Sequence, residues 1–387
     1  MWPLRGGIAH FAASMARSLA ARGHDVRAVT FARQYPEALF PGKTQLDDGP
    51  APLGVPRAEA LLDTLDPRTW TRTARRIAEA GTDVAVLHYW MPFVAPALGT
   101  LARALRRRGV TVVTVVHNAL PHEAGRLDRP LARYALAGAD ALVVLSESVR
   151  ADVERLGARR RGVRVPVTVA AHPAYDHFGA PVARAEARRR LGLPADAPVL
   201  LFFGFVRRYK GIGVLLDAMP AVAARVPGVR LVVAGEFYGD EAALRAQAAG
   251  LPVRFDADYI PDARVADYFG AATAVVQPYL SATQSGVAGV ALHFGRPVVT
   301  TDVGGLAADV GAAGLVVPPG DAAALARALV AVLTGDAAAA LGALASGRGR
   351  ATWDDLSAAV EKAAGYVGVG GIVSTGRLSG DASHPPR

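Results

Sequence analysis

Residues 199–203 read Val-Leu-Leu-Phe-Phe, an unbroken apolar run of the kind that forms a strand buried on both faces of a parallel sheet. The turn that follows, Gly204-Phe205-Val206-Arg207-Arg208-Tyr209-Lys210-Gly211, carries two arginines and a lysine. Val214, Leu215, Ala218 and Met219 then repeat at helical spacing. A buried strand, a basic turn and a helix in that order belong in an open α/β sheet, whose ligands bind outside the carboxyl ends of the strands. There Arg207 can fork onto two phosphate oxygens, and Lys210 adds a compact charge. A solvated basic turn is the plainer alternative. The place at the end of a buried strand favours an anion site.

The same alternation runs along the chain. In the first half, helices are predicted over 8–22, 68–79, 92–108 and 131–138, with strands over 26–31, 83–88, 110–116 and 141–145. The strand at 110–116 ends on His117-Asn118. After a looser segment from Pro166 to Ala197, strands at 199–203, 231–234, 253–255, 274–276, 298–300 and 315–317 alternate with further helices. The fold class is therefore α/β, with two Rossmann-like, doubly wound parallel-sheet domains, divided as 1–172 and 173–349. Residues 350–364 form a last helix, and the Gly/Ser/Pro-rich tail 365–387 is expected to be disordered. The Gly6-Gly7 turn should follow a strand, yet Met1 to Arg5 are too few, and Pro3 cannot donate a ladder hydrogen bond. The first strand of this domain is thus expected to be missing, with the natural protein beginning upstream.

Composition removes several classes. With no cysteine among 387 residues there is no disulfide or thiolate metal site. No apolar run reaches the roughly 18 residues of a membrane span, and the first residues lack a signal-peptide core. The reading is a cytoplasmic protein. The net charge is +9, but only Lys43, Lys210 and Lys362 are lysines, so the basicity is mostly a habit of composition. The clusters Arg106–Arg108 and Arg159–Arg161 read as solvated ends, or as contacts with an anionic membrane on its inner face. No aromatics interleave them, which argues against nucleic acid. No HExxH spacing and no acidic pair near the phosphate turn offers a metal site, so no metal and no cofactor is expected.

Further on, Gln284-Ser285-Gly286-Val287 opens a helix, whose free N–H groups and positive dipole end suit an anion opposite Arg207 and Lys210. Ser285 can add its hydroxyl, and Gly286 lets a phosphate approach closely. With the turn at 204–211 and Gly295-Arg296-Pro297-Val298-Val299-Thr300-Thr301-Asp302-Val303-Gly304-Gly305-Leu306, these segments resemble the retaining family 4 glycosyltransferases of GT-B fold. Gly6-Gly7 and the Arg33-Gln34-Tyr35-Pro36 loop are similar to one bacterial branch of that family, here with the QSG motif in place of paired glutamates. The resemblance runs over about residues 3–363.

The resemblance implies two domains facing a cleft. The first would bind the acceptor and the second a nucleotide-diphosphate sugar, with helix 350–364 crossing back to the first. It implies hexosyl transfer to a hydroxyl of a glycan, a lipid-linked saccharide or a small molecule, with retention, as in polysaccharide biosynthesis. Arg207, Lys210 and His117 would be catalytic. Gly6, Gly7, Gly204, Thr283, Gln284, Ser285, Gly286 and Val287 would bind the donor, and Arg33 and Tyr35 would stand on the acceptor side. The family's two glutamates fall at Ala282 and Val290, which can do neither job; Thr283 and Gln284 are the substitutes for the first. A sugar-nucleotide epimerase of the same fold and a degenerate, non-catalytic nucleotide-binding protein are the rivals.

Overall fold

The structure is a computed structural model that describes residues 4, 6–36, 46, 57–121, 125–173, 178–282, 285–334, 337–347 and 351–365. The predicted disorder of the tail and the roles given to Thr283 and Gln284 fall outside the described residues.

The strands of the amino-terminal half are β1 (Ala28–Arg33), β2 (Ala58–Asp63), β3 (Val84–Tyr89), β4 (Thr111–Val116), β5 (Ala141–Val144), β6 (Arg159–Arg160), β7 (Val163–Arg164) and β8 (Val167–Val169). β3, β4, β5 and β8 lie side by side, all parallel. Among the described residues β1 pairs with β2, also in parallel, in a sheet separate from that of β3, β4, β5 and β8. β6 and β7 make a short antiparallel ribbon. The helices are α1 (Gly7–Ala21), α2 (Pro67–Glu79), α3 (Ala95–Arg106), α4 (Asp128–Leu136) and α5 (Glu147–Leu156). α2 starts where the Asp66 carboxylate accepts the Arg68 N–H with Pro67 in the first turn, and α5 where the Ser146 hydroxyl accepts the Val149 N–H. β4, Thr-Val-Val-Thr-Val-Val, is the buried centre of its sheet.

In the carboxyl-terminal half, α6 (Arg184–Leu191) precedes β9 (Val199–Phe203), α7 (Ile212–Arg225), β10 (Arg230–Ala234), α8 (Glu241–Gln247) and β11 (Val253–Asp256). Then come α9 (Asp262–Ala271), β12 (Ala274–Gln277), α10 (Gly286–His293), β13 (Val298–Thr301), α11 (Leu306–Val310), β14 (Gly314–Val317), α12 (Ala322–Leu333), α13 (Ala337–Gly347) and α14 (Trp353–Gly365). The six strands form one parallel sheet in the order β11-β10-β9-β12-β13-β14. Leu200 of β9 stands between Leu231 and Ala274, so the apolar run is buried within the sheet as well as on its faces.

α14 packs on α1, β4 and β5 of the other half. Trp353 meets Phe11 edge to face at 5.0 Å, Ser357 Oγ donates to Ser18 Oγ, and Arg22 bonds Glu361 and Asp354. The pattern placed β9 to the residue; β1 begins two residues later than Val26. It missed β2, the β6–β7 ribbon, β8 and α11, all of them short or made of residues without a strand or helix period.

Candidate active site

On the carboxyl-terminal side, the turn after β9 and the start of α10 converge on Gly204. A Cβ built there would stand 3.3 Å from Lys210 Nζ and 3.8 Å from Val287 Cγ2. Lys210 closes a 3-10 turn, Arg208–Lys210, and is only 9% exposed. Its Nζ lies 5.5 Å from the Tyr279 ring centre, and burial pushes its pKa down. No carboxylate among the described residues pairs with Lys210 or Arg207. A buried ammonium without a counter-ion is expensive unless a ligand supplies the negative charge. Ser285 stands at the start of α10 without capping it: Gln277 Nε2 donates to its Oγ, and the Tyr279 hydroxyl lies 3.4 Å away. The first-turn amides of Gly286 and Val287 therefore have no side-chain partner from Ser285. Arg207 is exposed, its guanidinium carbon 4.7 Å from the Tyr238 ring centre.

On the amino-terminal side, His117 follows β4, and its backbone N–H donates to the Tyr89 carbonyl. Its Nε2 lies 3.1 Å from His88 Nδ1, one ring donating to the other. Phe11 of α1 presses its edge against His117 at 4.6 Å, His172 at 5.3 Å and His88 at 5.8 Å. Burial lowers all three histidines, His88 to about 3 and His117 well below its ordinary value, with the neighbouring rings adding to the shift at His117. The cluster is neutral at pH 7, and the bond to His88 uses Nε2 of His117. Gly6 and Gly7 form an open turn: nothing lies within 4 Å of a Cβ at either.

Tyr35 is wedged in place. Its hydroxyl accepts from Trp90 Nε1 at 2.8 Å and donates to Met91 Sδ, and its ring stacks on Phe93. Burial raises its pKa, while the Trp90 N–H and the charge of Arg207 draw it back. Arg33 is tied to Asp63 at 2.6 Å. His10 of α1 reaches Asp262 at the start of α9, 3.5 Å away, a second link between the halves.

The structure thus brings Gly204, Lys210, Ser285, Gly286 and Val287 together, with Arg207 beside them, and sets His117 and Tyr35 in the other half. Ala282 and Val290 are buried, and Val290 belongs to the hydrophobic interior. Sequence reading missed His88, Gln277, Tyr279 and Tyr238. His88 lies one residue before the end of β3 and His117 one residue after the end of β4, so both stand at the carboxyl end of the same sheet. Two arginines of the basic clusters prove structural: Arg106 and Arg160 both bond Asp140 Oδ1. Among the described residues, no group of three or more His, Asp or Glu could hold a metal ion, and no helix is long and apolar enough to cross a membrane.

Residues 6–168 match the family model of the glycosyl transferase 4-like domain, and residues 197–335 that of the glycosyl transferases group 1. Over 356 residues the chain is 33% identical to the D-inositol 3-phosphate glycosyltransferase of Acidothermus cellulolyticus, covering 84% of this chain and 77% of that one. Two solved structures share the fold. Sucrose-phosphate synthase from Thermosynechococcus elongatus aligns with a TM-score of 0.63 at 24% identity, over 92% of this chain and 89% of its own. Anabaena HepE in complex with UDP-glucose aligns with a TM-score of 0.63 at 19% identity, over 80% and 85%. The chain belongs to the family 4 glycosyltransferases of GT-B fold, enzymes that move a sugar from a nucleotide-diphosphate donor to a hydroxyl.

Proposed function

We propose that the donor diphosphate lies between Lys210, Arg207 and the first turn of α10, and that transfer proceeds with retention at the anomeric carbon. The observation that carries this reading is the convergence of Lys210 Nζ and Val287 on Gly204, where no carboxylate among the described residues pairs with Lys210 or Arg207. As the bond from the anomeric carbon to the diphosphate oxygen breaks, negative charge grows on the leaving group. Lys210, Arg207 and the amides of Gly286 and Val287 stabilise that charge, which is greater in the transition state than in the ground state. Neutral His117 and the Gly6-Gly7 turn orient the sugar. The acceptor hydroxyl enters from the Tyr35 side. No covalent nucleophile is assigned, and no metal is required.

HepE was solved with UDP-glucose, which makes UDP the first base to try. Titration calorimetry against UDP, GDP and ADP, followed by turnover of their sugar conjugates with and without acceptor, tests the reading. Release of the sugar to an acceptor supports it. Epimerisation or hydrolysis alone would favour the epimerase. Binding without any turnover would favour the degenerate protein, a reading that Ala282 and Val290 motivate. We also propose peripheral contact with an anionic membrane through Arg107, Arg159 and Arg161, which keep clear of Asp140. Sedimentation with phosphatidylglycerol vesicles, and none with phosphatidylcholine, would bear this out.

A further inference from the structure

We propose that Tyr238 is a positioning residue for Arg207, holding its guanidinium over the phenol ring so that it meets the diphosphate already aimed. The inference rests on the diphosphate reading of Arg207 given above. Its starting point is the backbone. The parallel pairing of β9 with β10 does not stop where the strands end. Gly204 N–H donates to Ala234 O, Val206 N–H to Glu236 O, and Tyr238 N–H to Val206 O, each at 2.9 Å. Val206 and Phe237 form a further parallel bridge. The turn that carries Arg207 and the turn that carries Tyr238 are therefore one hydrogen-bonded extension of the sheet.

This extension fixes where the side chains meet. The Tyr238 ring packs edge to face on Phe205, 4.7 Å between centres at 65°. It lies under the Arg207 guanidinium carbon, also at 4.7 Å. Arg207 is exposed and pairs with no carboxylate among the described residues, and the ring is a contact that restricts it without neutralising it. A long arginine free to sample its rotamers loses entropy when it binds, and a face-on aromatic removes part of that loss beforehand. An aromatic face suits this better than a carboxylate would. It orients the guanidinium without neutralising the charge that the phosphates need.

The test compares wild type, Tyr238→Leu, Tyr238→Phe, Arg207→Ala and the double variant Arg207→Ala/Tyr238→Leu. Calorimetry with UDP, GDP and ADP is the binding readout and thermal unfolding is the control. Expected is a loss of about three- to five-fold in affinity for the tightest of the three in Tyr238→Leu. Tyr238→Phe should restore it, and Tyr238→Leu should add nothing once Arg207 is alanine. An equal loss in both backgrounds, or no rescue by phenylalanine, overturns the positioning role. If Arg207→Ala weakens binding and Tyr238→Leu does not, this inference falls and the diphosphate reading stands. If Arg207→Ala leaves binding unchanged, or none of the three nucleotides binds the wild type, both fall.

Discussion

On the carboxyl-terminal side of the cleft, six parallel strands run without a break and the site beyond them is cationic; on the amino-terminal side the described strands fall into separate sheets, and the site is a cluster of neutral rings. The first side holds its groups by backbone: a strand, a turn of eight residues and a helix start, pressed together with no room for a side chain at Gly211. The second holds them by burial, with His88, His117 and His172 packed around Phe11. The contrast suggests a division of labour. On the proposed reading, charge that meets the diphosphate is set on rigid backbone, whereas groups that line the sugar are set by packing.

The sharpest way to break this contrast is a methyl group. Gly211 has φ 68°, and a Cβ there would stand 1.9 Å from the Pro278 carbonyl oxygen, which is backbone and cannot swing aside. Gly211→Ala is expected to cost about 3–5 kcal/mol, from the left-handed conformation and the clash together, measured by denaturant unfolding. Gly7→Ala, at an open helix start, should stay within about 0.5 kcal/mol of wild type. If the two variants unfold alike, the rigid side is not rigid.

Lys210 gives the next largest effect. Replacing it with methionine keeps the volume and removes a buried charge that has no carboxylate partner among the described residues. Stability should rise by about 1 kcal/mol, while nucleoside diphosphate binding falls by about 100-fold. A drop in both would show that Lys210 serves the fold rather than the ligand.

The neutral side can be titrated. A histidine whose folded pKa lies below its unfolded value of about 6.5 supports the fold fully above that pH. Below it the unfolded chain takes up a proton that the folded chain refuses, so stability is lost as pH falls towards the folded pKa. For His88 that window runs from about 6.5 down to about 3. His88 alone costs about 1.5 kcal/mol between pH 6.5 and 5, a range above most carboxylate titrations. His88→Asn should flatten the pH dependence of unfolding by about one proton. An unchanged slope would mean that the cluster is charged or hydrated in the folded state.

How far the two sides could be read beforehand also differs. Val199–Phe203, the cations after it and Gly286 at a helix start are local signals, and all three lie where the pattern put them. His88 and His117 were unreadable as a pair, because nothing in either strand says that β3 and β4 are neighbours. β2, Ala-Glu-Ala-Leu-Leu-Asp, is made of good helix formers and becomes a strand only by pairing with β1. Tyr238 looks like an ordinary loop aromatic until the β9–β10 pairing continues past the strands and brings it under Arg207.

The smallest effect is expected from a chelator. If the cationic side neutralises the leaving diphosphate by itself, a divalent ion has no charge left to offset. The described residues near it offer no set of carboxylates to hold one. Lys210 and Arg207 supply two positive charges, and α10 adds about half a charge at its amino-terminal end. That is of the order of the charge a leaving diphosphate develops, and it acts in a partly dry site where it is weakly screened. Transfer rates in EDTA should therefore match those in magnesium to within about two-fold. Complete loss in EDTA, restored by magnesium or manganese, would move part of the neutralisation from the fixed turn to a bound ion. The two sides of the cleft would then differ less in their chemistry than their backbones suggest.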